Sequence, residues 1–232
     1  MKSPDTDVFL LLLSFAEEIS KPLYFDTGNG IKRRQIHMTA LAKTLSKPLR
    51  DAILGLHALT GCDSTSCFSR KGKMKALKLV KNYERLTSLF ARFGTSATVS
   101  DDDFASLEAF VCKLYGKHDH SSVDKVRYDI VRQSFKAKRS ILSSCNGVDL
   151  SLMPPCSKVL KLHIQRANYQ TLIWRMSSFS QPSLPKPEEY GWKMGESGLE
   201  IDWHGEDFVP KELLDIMLDD DENVNEDQIS EH

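Results

Sequence analysis

Three aspartates have the residue type and spacing for hydrolytic chemistry. Asp5 and Asp7 form an Asp-x-Asp step at the edge of the apolar run Val8 to Leu13, and Asp63 follows Gly61-Cys62. Phosphodiester hydrolysis with magnesium or manganese needs carboxylates gathered at one place, where the ions activate water and stabilise the leaving oxygen. An Asp-x-Asp step can direct both side chains into one cleft, and a later Gly-x-Asp completes the cluster if the fold brings it near. On spacing alone, Asp5 as a helix cap and Asp63 as a turn residue account for the same residues more simply.

Directly after Asp63 the chain becomes basic. Arg70, Lys71, Lys73, Lys75, Lys78 and Lys81 follow one another with no acid before Glu84. Ala76, Leu77, Leu79 and Val80 supply the apolar side of a helix from about Lys73 to Lys81. Gly72 stands at its start, where backbone N–H groups favour phosphate. A solvated cationic helix has the same pattern. Beside an acidic site, such charges would hold a nucleic-acid backbone without reading sequence.

Other candidates are weaker. His118-Asp119-His120 reads as an exposed loop before it reads as a chelate. Ser64, Ser66 and His57 have no Gly-x-Ser-x-Gly or oxyanion-hole motif beside them. Five cysteines include a single C-x4-C pair, Cys62 and Cys67, and read as reduced thiols. Trp174, Trp192, Trp203 and Tyr169 read as packing residues. Lys136, Lys138 and Arg139 read as a solvated helix end.

The elements that must position these residues follow from local signals. Ser3-Pro4-Asp5 starts a helix over Thr6 to Glu18, with buried strand as the alternative for so apolar a run. Its residues are expected in the core. Leu23 to Phe25 and Ile31 to His37 read as a hairpin around Asp26-Thr27-Gly28-Asn29-Gly30. Helices follow at Met38 to Leu45, Pro48 to Leu59, Tyr83 to Phe93, Asp102 to Tyr115, Val123 to Lys138 and Ser157 to Met176. Asp101, Asp102 and Asp103 suit a helix N-terminus. Ser140 to Pro155 reads as a linker, and Trp192 to Trp203 as a small hairpin. The 232 residues, 41% hydrophobic and 27% charged, bound one domain with appendages. A net charge of -1 selects no partner. The run Val8 to Leu13 is too short to span a bilayer and lacks the flanks of a signal peptide.

The segment Leu59 to Leu79 resembles the flap-endonuclease/XPG-like group. In that group a Gly-x-Asp metal ligand leads into a helix–hairpin–helix element with a glycine hairpin and a basic second helix. Ser3-Pro4-Asp5-Thr6-Asp7 is similar to that group's paired-aspartate step. The phrases His57 to Ser66, Phe110 to Gly116, His163 to Gln170 and Gly191-Trp192-Lys193 resemble a transposon-associated eukaryotic family with a PIN-like core. The resemblance covers roughly residues 3 to 210.

The resemblance implies an α/β fold: the C-terminal part of a PIN-like domain, helix-dominated, with a helix–hairpin–helix-like element and a small C-terminal β-hairpin. Residues 1–140 would be the partial nuclease domain, 141–210 a helical and β-hairpin extension, and 211–232 an acidic disordered tail. Asp5, Asp7 and Asp63 match metal ligands for Mg2+ or Mn2+. Gly72 and Lys73 match the DNA-binding hairpin, and with Arg70, Lys71, Lys75 and Lys78 they are the expected nucleic-acid-binding residues. Further acidic ligands, expected upstream of Met1, are not in this sequence, and the hairpin has one glycine where the group has two. The expected function is a truncated or degenerate metal-dependent nuclease acting on DNA or RNA, in nucleus or cytoplasm. The alternatives are a non-catalytic nucleic-acid-binding or protein-interaction remnant, and a fragment with no stable function of its own. Partners would be nucleic acid, DNA before RNA, and a missing N-terminal half or another protein, with no membrane. An exposed sheet edge is expected near residues 22 to 36.

Overall fold

The computed structural model describes residues 1–137 and 152–203. The expectations for Lys138 and Arg139, most of the linker at 140–155, and the tail at 211–232 lie outside the described residues.

Helices dominate, with two small antiparallel strand pairs. Helix α1 spans Thr6–Phe15, and the Asp5 carboxylate caps it by accepting from the Asp7 amide at 2.8 Å. Strands β1 (Tyr24–Thr27) and β2 (Arg34–His37) pair antiparallel, with Phe25 opposite Ile36. The second strand starts later than its sequence suggests. Gly30–Lys32 is a turn of 3-10 helix, and Ile31 is wholly exposed on it.

The expected open sheet edge is closed on one side. The Ser3 amide donates to the Asp26 carbonyl at 3.0 Å, the Asp26 amide to the Met1 carbonyl at 2.8 Å, and the terminal ammonium to the Tyr24 carbonyl at 2.8 Å. Residues 1–3 thus run beside β1. Among the described residues no strand pairs with the outer edge of β2.

Helices α2 (Met38–Lys43), α3 (Lys47–Leu59), α4 (Lys73–Asn82), α5 (Glu84–Ala91), α6 (Asp101–Leu114), α7 (Val123–Ala137) and α8 (Ser157–Arg175) follow. Helix α3 is the axis of the molecule. It is buried around most of its circumference, from Leu49 to Leu59, as a helix enclosed by others must be. Gly55 lets α5 and the turn after it approach closely, since a Cβ there would lie 2.8 Å from the Phe90 carbonyl and 2.6 Å from the Phe93 Cβ. Three aspartates sit in the first turn of α6, but the cap is Ser100, whose hydroxyl accepts from the Asp103 amide.

Helix α8 completes the core. Leu160, Ile164, Ala167 and Trp174 join the cluster built on α3. Buried Asn168 accepts from the Gly94 amide and donates to the Ser96 and Ala97 carbonyls, seating the loop after α5. Arg175 donates to carbonyls of Phe93, Asp51 and Ala91. Strands β3 (Trp192–Gly195) and β4 (Gly198–Ile201) form the expected hairpin. Arg166 holds it by donating to the Gly191 and Asp202 carbonyls at 2.9 and 2.7 Å.

The apolar run of α1 departs from expectation. Leu13 is its one fully buried residue, and Val8 to Leu12 are only partly covered. Val8, Phe9, Leu10 and Leu12 pack against Phe25, Met38 and Ala42 in a second, smaller cluster, while Leu10 and Leu11 touch the larger one.

Candidate nucleic-acid interface

The segment joining α3 to α4 is held by its own small residues. Gly61 has φ +105, and a Cβ there would stand 2.6 Å from the Cys67 Cβ, so both conformation and space demand glycine. Cys62 and Thr65 exchange backbone hydrogen bonds of 3.1 and 3.4 Å, which puts Asp63 and Ser64 at the tip of a tight turn. Thr65 ties that turn back to the Ala58 carbonyl at 2.6 Å, and Ser64 donates to Gln170 on α8 at 2.6 Å. Asp63 is exposed.

Phe68 is buried edge-on to the His163 and Tyr115 rings. The Lys71 amide then donates to the Phe68 carbonyl at 3.0 Å, closing a second turn with Arg70 at φ 53. Gly72 caps α4 with no side-chain hydrogen bond, at an ordinary φ of -72. Nothing lies within 4 Å of where its Cβ would be. An open groove of about 700 Å³ runs along this segment from Thr60 to Lys73.

Helical geometry divides the lysines between two faces. Lys71 lies over the Tyr115 ring at 4.6 Å. Burial lowers its pKa, and the like charge of Lys75 lowers it further, so the two ammonium groups are neighbours. Lys75 and Lys78 are exposed. Lys73 turns the other way. Its ammonium donates to the Gly61 carbonyl and lies 3.5 Å from the His57 carbonyl. Partial burial lowers its pKa, while Cys62, Asp7 and Cys67 act to raise it. Among the described residues no ion pair takes up Arg70, Lys71, Lys75 or Lys78.

The acidic residues are spent differently from expectation. Asp5 caps α1. Asp7 lies 2.6 Å from Nε2 of His57 on α3, a histidine buried against Trp174. Burial lowers the His57 pKa, the Asp7 hydrogen bond opposes this, and Lys73 adds to the lowering. The ring is thus favoured as the neutral donor to Asp7. Asp5 and Asp7 both act on His57, but Asp63 does not join them. Among the described residues no three His, Cys, Asp or Glu side chains stand close enough to hold a metal ion. His120 pairs with Asp129 at 2.8 Å rather than with His118.

Sequence reasoning missed His57 as the partner of Asp7, and Gln170 as the anchor of the Ser64 turn. Each partner lies far along the chain, at separations of 50 and 106 residues, where local pattern carries no signal. Among the described residues no helix is long and apolar enough to cross a membrane. Searches against known protein families, curated proteins and solved structures find no match to this chain.

Proposed function

We propose that this chain is a nucleic-acid-binding protein of the PIN-like, flap-endonuclease kind, holding a DNA or RNA backbone at the turn 68–72 and along α4. One observation carries the reading: among the described residues Arg70, Lys71, Lys75 and Lys78 form no ion pair, and they flank a glycine the fold does not need. Cations left unpaired within the molecule are available to phosphate, and a bare helix start lets a backbone come close. Nothing in this grip reads bases, so binding would follow charge and shape.

The acidic residues, as arranged, do not fit a divalent ion. Such an ion takes about six oxygen ligands. Asp5 is engaged with the Asp7 amide, Asp7 with His57, and Asp63 is not grouped with them. No cleavage step is therefore derived. Metal-dependent cleavage is the second reading, favoured only by the nearness of Asp5 and Asp7 to one another, and it would need Asp63 to join them.

Fluorescence anisotropy with single-stranded DNA and RNA at a series of salt concentrations tests the first reading. Four phosphate contacts give a slope of log K on log salt near about -3. Lys75→Glu with Lys78→Glu is expected to abolish binding while thermal stability holds. These two are cleaner than Lys73, whose ammonium is tied to the chain's own carbonyls. Salt-insensitive binding, or none, sinks the reading. Titration of magnesium or manganese, with Asp63→Ala alongside, separates the second. Metal binding that vanishes in the variant would restore the nuclease.

A further inference from the structure

A cavity of about 320 Å³ lies beside the grip, where segment 66–69, helices α7 and α8 and residues 153–155 meet. Its walls are largely aromatic or apolar, with Phe68, Tyr115, Met153, Val159 and the half-exposed Trp203. Among the described residues no carboxylate lines it. Ser66, Cys67 and Phe68 line both this cavity and the open groove from Thr60 to Lys73. Lys71 lies 4.6 Å over the Tyr115 ring, so one ring separates the grip from the cavity.

Two buried nitrogens of the lining residues lack partners. His163 and Arg166 stand three residues apart on α8 and are 5% and 1% exposed. Nε2 of His163 is 2.8 Å from the Leu59 carbonyl, so the ring proton sits there and Nδ1 is left as a bare acceptor. Nη1 of Arg166 serves the Gly191 and Asp202 carbonyls, while its Nε is a donor. Neither that Nε nor the His163 Nδ1 has a hydrogen-bond partner. Buried polar groups in folded proteins are paired, so the two call for an occupant.

An ordered water can serve two such atoms, but it leaves the aromatic walls without a partner. An inorganic anion suits Arg166 and Arg127 and sets its own lone pairs against that of His163. A flat molecule with a donor and an acceptor side by side on one edge meets both nitrogens and the walls. Nucleobases carry that edge, and a base taken out of its stack lies well on an aromatic side chain.

We propose that this cavity takes one nucleobase, its edge on His163 and Arg166 and its face against the rings of Tyr115 and Trp203. A base unstacked from a strand on α4 and the base of a free nucleotide share this chemistry. The strand as source rests on the proposed function, and the pocket itself does not.

Saturation-transfer NMR of the full chain with adenosine and cytidine monophosphates tests the pocket alone. Base protons are expected to receive more saturation than ribose protons, and inorganic phosphate is expected not to displace the nucleotide. Val159→Trp fills the cavity, and Trp203→Ala removes an exposed wall at little risk to folding. Each is expected to reduce the transfer several-fold. Displacement by phosphate, or transfer unchanged in both variants, overturns the pocket.

Fluorescence anisotropy then identifies the source. An abasic strand of about eight residues is compared with the same backbone bearing one adenine. The single base is expected to tighten binding at least about fivefold, and Trp203→Ala to remove most of that gain. Equal binding of the two strands while the monophosphates bind leaves the pocket to free nucleotides and overturns the strand as source. If neither strand binds and the monophosphates do, the pocket holds and the proposed function falls. If both strands bind alike and the monophosphates do not, the grip holds and the pocket falls.

Discussion

Two glycines ten or so residues apart separate structural demand from functional opportunity. Gly61 is required by a positive φ and by contact with Cys67. Gly61→Ala is expected to cost at least about 2 kcal/mol, read by urea unfolding. Gly72 meets no such demand, and serine is a good helix cap. Gly72→Ser is expected to keep the stability or raise it by about a few tenths of a kcal/mol, read by urea unfolding, while weakening nucleic-acid binding. A variant that binds as well as the parent would remove close backbone approach from the argument. His163 sets a pH dependence. Burial pushes its pKa down to about 4, against the opposing hydrogen bond to Leu59. The unfolded ring takes a proton near pH 6.5 that the folded ring refuses. Stability is therefore complete above that pH and falls as pH drops toward 4, by up to about 3 kcal/mol from this group. His163→Gln keeps a donor for the Leu59 carbonyl, and its unfolding free energy is expected to fall less between pH 7 and 4.5. An identical slope would assign the acid sensitivity elsewhere. Burial also lowers the His57 pKa, so His57 contributes in the same direction.

At the scale of elements, sequence was most informative where the determinants are local. Asp5 capping α1, Pro48 opening α3 and the hairpin at Trp192 to Ile201 all depend on neighbours within a few residues. The 3-10 turn at Gly30–Lys32 was missed because a glycine-rich stretch admits several turns, and the loop length settles which one forms. Whether α1 is core or surface could not be read from its composition, since coverage depends on what packs against it. Its neighbourhood forms a small cluster, Leu13, Ala16, Phe25, Met38 and Ala42, apart from the larger one on α3. Among the described residues, polar ties from Arg50 to Glu17 and to the Ala42 carbonyl, and from His57 to Asp7, join the units, and Leu10 and Leu45 touch both clusters. Residues 1–45 are therefore expected to open first. Native-state hydrogen exchange should give α1 and the β1–β2 hairpin lower protection than α3 and α8. Equal protection would mean that the two clusters unfold as one.

At the scale of the whole molecule, the candidate site was only half legible. The basic segment was visible because its charges are consecutive, and the structure adds which lysines point outward. The acidic cluster was an extrapolation across 56 residues from Asp7 to Asp63. Such distances are bridged by packing, and here the packing gives Asp7 to a histidine. Among the described residues, the bonds that close the core span long stretches of sequence. His163 reaches Leu59 across 104 residues, Ser64 reaches Gln170 across 106, and Arg175 reaches Asp51 across 124. During synthesis at about 5–20 residues per second, the apolar flank of α3 waits roughly 5–20 s for α8 to emerge. A nascent chain that ends before Trp174 thus displays an incompletely covered leucine-rich helix, and it is in that interval that a chaperone would meet this protein.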